Sequence, residues 1–121
     1  MASNLQTLLV LLGTQYLPDL EGKILFIEEA EDVKPAMVHR FFTHLSQCTD
    51  LRKLKGVCVG RFSSLLGFTL ETEVAIYDDI FGGIDIPVLY NLDFGHTDPL
   101  FTIPIRGTVS IDTSRNILRF N

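Results

Sequence analysis

The chain has 121 residues, 46% of them hydrophobic and 21% charged, which suits one domain with one core and is too apolar for a disordered chain. A net charge of −5, a pI near 5.0 and the absence of any Lys/Arg run argue against nucleic acid as the main partner. The longest apolar stretch, residues 8–12, is far short of a membrane span, and the N-terminus lacks the basic region and cleavage site of a secretory leader, so the cytoplasm is the expected compartment.

Residues 4–12 have a helical apolar pattern with Asn4 or Ser3 as N-cap and Gly13 as the stop. The chain enters this pattern almost at once, as a domain cut from a longer polypeptide would. After a connection containing Pro18, residues 23–28 form a continuous apolar run, the mark of a strand buried on both faces. Asp32 to Pro35 opens a helix whose stripe is Met37, Val38, Phe41, Phe42, Leu45 and Cys48. A second buried strand covers residues 56–62. A loop over 63–68 leads to a helix over 69–81, with Leu70, Val74, Tyr77 and Phe81 on one face and Glu71 and Glu73 at the positive end of its dipole. Residues 86–90 are a third strand. To this point the order is β-α-β-α-β, the signature of a parallel sheet with right-handed crossovers. Residues 101–105, 108–112 and 117–120 then read as short strands joined by turns, hence antiparallel. The expected fold is a single α/β domain over residues 1–121, with a parallel central sheet, helices and a smaller antiparallel sheet.

His96 is the residue most suggestive of chemistry. It follows Gly95 and precedes a Thr-Asp-Pro turn, on a loop just beyond a strand end, where a rigid scaffold commonly carries catalytic groups. The strand over 23–28 ends in Glu28-Glu29, and because side chains alternate, one carboxylate goes to each face. One of the two can face His96. A carboxylate and a histidine are two thirds of a hydrolytic triad, and the nucleophile is the missing third. Ser63 and Ser64 follow a strand but lack the Gly-x-Ser-x-Gly turn that exposes a nucleophile. His39 and His44 are five apart on a helix, not the i, i+4 of a metal pair, and read as surface groups. Glu31 and Asp32 read as helix-start charges. Arg40 reads as a surface cation or a partner for the acids at 28–32, and Arg61 as a possible anion ligand. Cys48 and Cys58 read as buried thiols. No metal cluster or cofactor fingerprint is present, so no metal and no cofactor is expected.

The segments Asn4-Leu…Leu-Gly-Thr14, Glu21-Gly-Lys-Ile-Leu-Phe-Ile-Glu28, Arg40 with the Leu45 helix, Gly56-Val-Cys-Val-Gly-Arg-Phe62 and Ile86-Pro-Val…Phe-Gly-His96…Thr102-Ile-Pro-Ile105 together resemble the C-terminal domain of LD-carboxypeptidases. This serine peptidase family also holds the microcin-immunity carboxypeptidases, and the Gly-His-Thr-Asp-Pro-Leu stretch is more similar to that branch. The resemblance implies a swivelling β/β/α-type domain. It implies Glu28 as the triad acid, His96 as the general base, no metal, and a homodimer. It also implies a partner: an N-terminal domain of the same protein carrying the nucleophilic serine. Without it this chain would be inactive. The implied substrates are murein peptides or microcin-like aminoacyl-nucleotides. Two departures stand out. Ala2-Ser3 replaces the family's usual Gly-Gly. Arg106 stands where the family generally has Gly, so Gly107 is expected to take over that turn. Two other readings follow from the residues: a stand-alone binding or regulatory module of the same fold, and a hydrolase using Ser63 or Ser64 with His96.

Overall fold

In the computed structural model, which describes residues 1–121, a strand absent from the sequence reading comes first. Strand β1 (Ala2–Asn4) runs straight into helix α1 (Leu5–Leu9). It pairs in parallel with β2 (Ile24–Glu28), and Met1 O accepts from Phe26 N at 2.8 Å. Three residues are too few to show a period of two, so only the tertiary pairing defines this strand. Asn4 ends it and caps α1 as expected: its Oδ1 accepts from Thr7 N at 3.0 Å. The helix is shorter than its apolar pattern, giving way to turns at Val10 before Gly13.

Helix α2 (Pro35–Cys48) and helix α3 (Leu70–Phe81) connect β2 to β3 (Gly56–Gly60) and β3 to β4 (Val88–Leu92). The four strands are parallel in the order β1-β2-β3-β4. Every connection steps the same way across the sheet, so right-handed crossovers put all three helices on one face. The opposite face carries the antiparallel hairpin β5 (Val109–Asp112) and β6 (Ile117–Phe120). The result is a β/β/α sandwich, as expected.

The pleat divides the core accordingly. Leu25, Ile27, Val57 and Val59 pack with Leu5, Leu8, Val38, Phe42 and Leu45 on the helical side. Phe26 and Cys58 face the other way, against Phe94 and the hairpin residues Ile111, Leu118 and Phe120. Burial pushes the Cys58 thiol up to about 12, so it stays protonated and inert.

Several sequence expectations are corrected. Residues 101–105 form no strand: Phe101 and Ile103 pack against the second cluster at strand spacing, but no neighbour supplies a ladder and Pro104 has no N–H to give. Cys48 is exposed at the end of α2, and Met37 is also exposed, because the buried stripe is only Val38, Phe42 and Leu45 wide. The buried face of α3 is Glu73, Ile76, Tyr77 and Phe81, with Leu70 and Val74 exposed. Glu73 is tolerated there because Tyr77 Oη donates to it at 3.1 Å, and burial raises its pKa. Glu31 and Asp32 precede α2 rather than occupying its first turn. Arg106 itself adopts φ +67°, at the third position of a turn closed by Gly107 N donating to Pro104 O at 3.2 Å. Gly107, at the fourth position, does not relieve it.

The second carboxylate at the end of β2 has a structural task. Glu29 is 5% exposed. Its Oε1 accepts from Asn4 Nδ2 at 2.8 Å and Ala30 N at 2.9 Å, and its Oε2 from Gln6 N at 2.9 Å. It thereby ties β1 and the start of α1 to the sheet. Glu29→Ala strands those donors and should lower unfolding stability by about 1–3 kcal/mol, read from urea denaturation. An unchanged midpoint would show that the tie is not needed.

Candidate active site

Glu28 follows Phe26 toward the hairpin side of the sheet, opposite to Glu29. It stands at the carboxyl end of β2, the end of an open parallel sheet where ligands usually bind. The loop that meets it leaves β4 through a register shift. Cys58 pairs with Leu89 and Gly60 with Leu92, so β4 has one residue more than β3 over this interval. Asn91 absorbs it at φ 59°, as in a β-bulge that re-aims a side chain. Phe94 then anchors the loop in the second core cluster.

Two glycines let the loop close onto the strand. A Cβ on Gly60 would stand 2.5 Å from Phe94 O and 3.1 Å from Glu28 Cβ. Gly95, at φ +107°, would place one 2.9 Å from Glu28 Cβ. Any side chain at either position would force the loop away.

The outcome is that His96 Nδ1 lies 2.5 Å from Glu28 Oε2. The Glu28 side chain is 17% exposed and that of His96 50%. Nδ1 donates to the carboxylate, which fixes the tautomer and leaves Nε2 open to accept a proton from outside the domain. The hydrogen bond to Glu28, then its charge, and more weakly Glu31 and Glu29, hold the His96 pKa above its ordinary 6.5. The sign follows: a histidine whose pKa is raised by folding adds stability fully below pH 6.5, and loses it as pH rises through the folded-state value.

The other candidates fall elsewhere. His39 hydrogen-bonds Asp79 at 2.7 Å on the surface. His44 and Arg40 are exposed, and Arg40 forms no ion pair. Ser63 and Ser64 begin a 3₁₀ turn over Ser64–Leu66, and neither hydrogen-bonds His96, whose one partner is Glu28. Arg61 is no free anion ligand. Its guanidinium is taken up by Asn91, Asp93 and Asp98, an engagement between residues about thirty apart that sequence spacing does not reveal. No group of His, Cys, Asp and Glu side chains is arranged to hold a metal ion, and no helix is long and apolar enough to cross a membrane.

Residues 1–111 match the family model described as the LD-carboxypeptidase C-terminal domain, and the chain belongs to that family. It is 29% identical to the microcin C7 self-immunity protein MccF of Escherichia coli over 111 residues, 90% of this chain and 32% of that protein. Among solved structures, it resembles an MccF-like protein from Bacillus anthracis with a TM-score of 0.83 at 29% identity, over 98% of this chain and 37% of the other. It resembles the muramoyltetrapeptide carboxypeptidase of Oxalobacter formigenes with a TM-score of 0.79 at 28% identity, over 98% and 42%. The chain spans between 34% and 40% of the length of the first curated relatives that it matches.

If the carboxylate is what raises the His96 pKa, Glu28→Gln should return it toward 6.5. NMR titration of the ring protons measures this. A His96 value that stays raised in the variant would mean that the contact does not govern its protonation.

Proposed function

We propose that this chain supplies the acid and base of a serine-type carboxypeptidase, with Glu28 as the triad acid and His96 as the general base. The observation that carries the reading is the Nδ1–Oε2 contact at the strand end, with the opposite imidazole nitrogen open. Membership of the LD-carboxypeptidase family supports it.

In this reading a serine on a separate N-terminal domain of the same protein hydrogen-bonds to His96 Nε2. His96 takes the serine proton as the hydroxyl attacks the scissile carbonyl, then gives it to the leaving amine. Glu28 holds the tautomer and stabilises the imidazolium between those events. The oxyanion donors lie beside the serine, so the 121-residue chain alone is inactive. Substrate selection belongs to a cleft between the two domains. The named activity of the Oxalobacter relative favours a murein peptide, and the MccF structure in complex with aspartyl sulfamoyl adenosine favours an aminoacyl-nucleotide amide. The protein acts as a cytoplasmic homodimer.

In the whole protein, His96→Ala should lower turnover by about 10⁴-fold or more. The acid limb of kcat/KM should lie above pH 6.5, because the base must be neutral and its pKa is raised. Activity assays on a muramoyl tetrapeptide and on an aminoacyl sulfamoyl adenosine, with intact-mass measurement of the native gene product, test this. Near-normal turnover in His96→Ala would remove His96 from the mechanism. A native product of about 13.6 kDa would remove the serine domain and favour a binding module.

A further inference from the structure

His96 is half exposed and has one hydrogen-bond partner, so its own packing cannot fix the ring. The loop around it, however, is tied on both sides to one residue. Arg61 follows Gly60 at the end of β3. Its Nε donates to Asn91 Oδ1 at 3.1 Å and its Nη2 to Asp93 Oδ1, on the segment entering the loop. Its Nη1 donates to Asp98 O at 3.1 Å, on the segment leaving it. The Arg61 backbone joins in: its N–H donates to Leu92 O at 2.9 Å, and its carbonyl accepts from Thr97 Oγ1 at 3.2 Å. His96 lies between the two groups of anchors.

We propose that Arg61 is a positioning residue for His96, clamping the loop over residues 91–98 so that the imidazole stays against the Glu28 carboxylate. The planar guanidinium sends donors along three fixed directions, which a lysine ammonium cannot do over the same span. The clamp rests on the Glu28–His96 pair as geometry; its consequence for turnover rests on the function proposed above.

The sign of the effect separates positioning from plain electrostatics. Removing a cation near an imidazolium relieves repulsion and raises the histidine pKa. Removing a clamp lets the ring leave Glu28 and lowers it. The charged groups that bear on His96 are Glu28, Glu31 and Glu29, with Asp93 and Asp98 flanking it in the loop. All remain in an Arg61 variant.

The test is NMR titration of the histidines in the 121-residue chain and its variants. Arg61→Lys, which keeps the charge, and Arg61→Met, which does not, should both bring the His96 pKa down toward 6.5. If Arg61→Met does not fold, Arg61→Lys and Asn91→Gly carry the test, the latter removing the Oδ1 acceptor on the entering segment without a change of charge and at a positive φ that glycine accepts. A folded variant in which His96 titrates as in the parent chain, or higher, overturns the proposal. In the whole protein, Arg61→Lys should lower kcat about tenfold or more with KM nearly unchanged, and should shift the acid limb downward. If His96→Ala leaves turnover intact while Arg61→Lys still lowers the pKa, the catalytic reading fails and the clamp stands. If His96→Ala abolishes turnover and Arg61→Lys leaves the pKa in place, the clamp fails alone.

Discussion

The pleat of β2 is the constraint on which the rest depends. A strand covered by helices on one face and a hairpin on the other must send successive side chains to different layers. Leu25 and Ile27 enter the helical core while Phe26 enters the smaller one. The alternation continues past the last apolar residue, so the adjacent carboxylates part. Glu29 turns to the helical side and gathers the donors of Asn4 and Gln6. Glu28 turns to the hairpin side and meets His96. A slip of one residue in the register of β2 would exchange these environments, placing Phe26 among the helices and Glu29 at the imidazole. The burial of Phe26 against Phe94 and Phe120 therefore holds the site as well as the fold.

Bringing a loop against a strand end needs room, and here the room comes from what is missing at two positions. Gly60 and Gly95 let the backbone of one segment lie where a Cβ would otherwise be. Such an approach is loose unless something closes it, since glycine gives the chain freedom as well as space. Phe94 closes it from below by packing, and Arg61 from the side by hydrogen bonds on either flank of His96. The polar contacts are worth most as geometry: an ion pair with both members partly exposed contributes little to stability, yet several bonds from one rigid group restrict where a loop can go.

The layers were legible because a period is something sequence carries; the same period parts the two carboxylates, and the resemblance to the LD-carboxypeptidase domain singled out Glu28 as the partner of His96. Apolar runs over 23–28 and 56–62 announce strands covered on both sides, observed as 24–28 and 56–60, and the carboxylates at the end of the first must part. Other features lie beyond spacing. Strand β1 exists only as a partner of β2. The inward turn of Glu73 depends on a hydroxyl one helical turn away, and a stripe of Leu70, Val74, Tyr77 and Phe81 fits the apolar pattern as well as the face the sheet selects. Residues 101–105 alternate like a strand but pack as a strap. Arg61 looked like a free cation because its acceptors lie about thirty residues downstream.

In the mechanism proposed above the nucleophile sits on another domain, while the Glu28–His96 bond lies wholly within this one. The tautomer and ring angle of His96 are set by β2, β3 and the loop after β4, none of which needs a second domain in place. Docking of the proposed serine domain would then have to supply only the approach of a hydroxyl to Nε2, the exposed edge of the ring. A relative motion of the domains would lengthen that contact and slow proton transfer, while leaving the base oriented and its pKa raised by the same carboxylate. Orientation within the domain and approach between domains are then separable. In the proposed cleft, a substrate bridging both walls would spend binding energy on the second without disturbing the first.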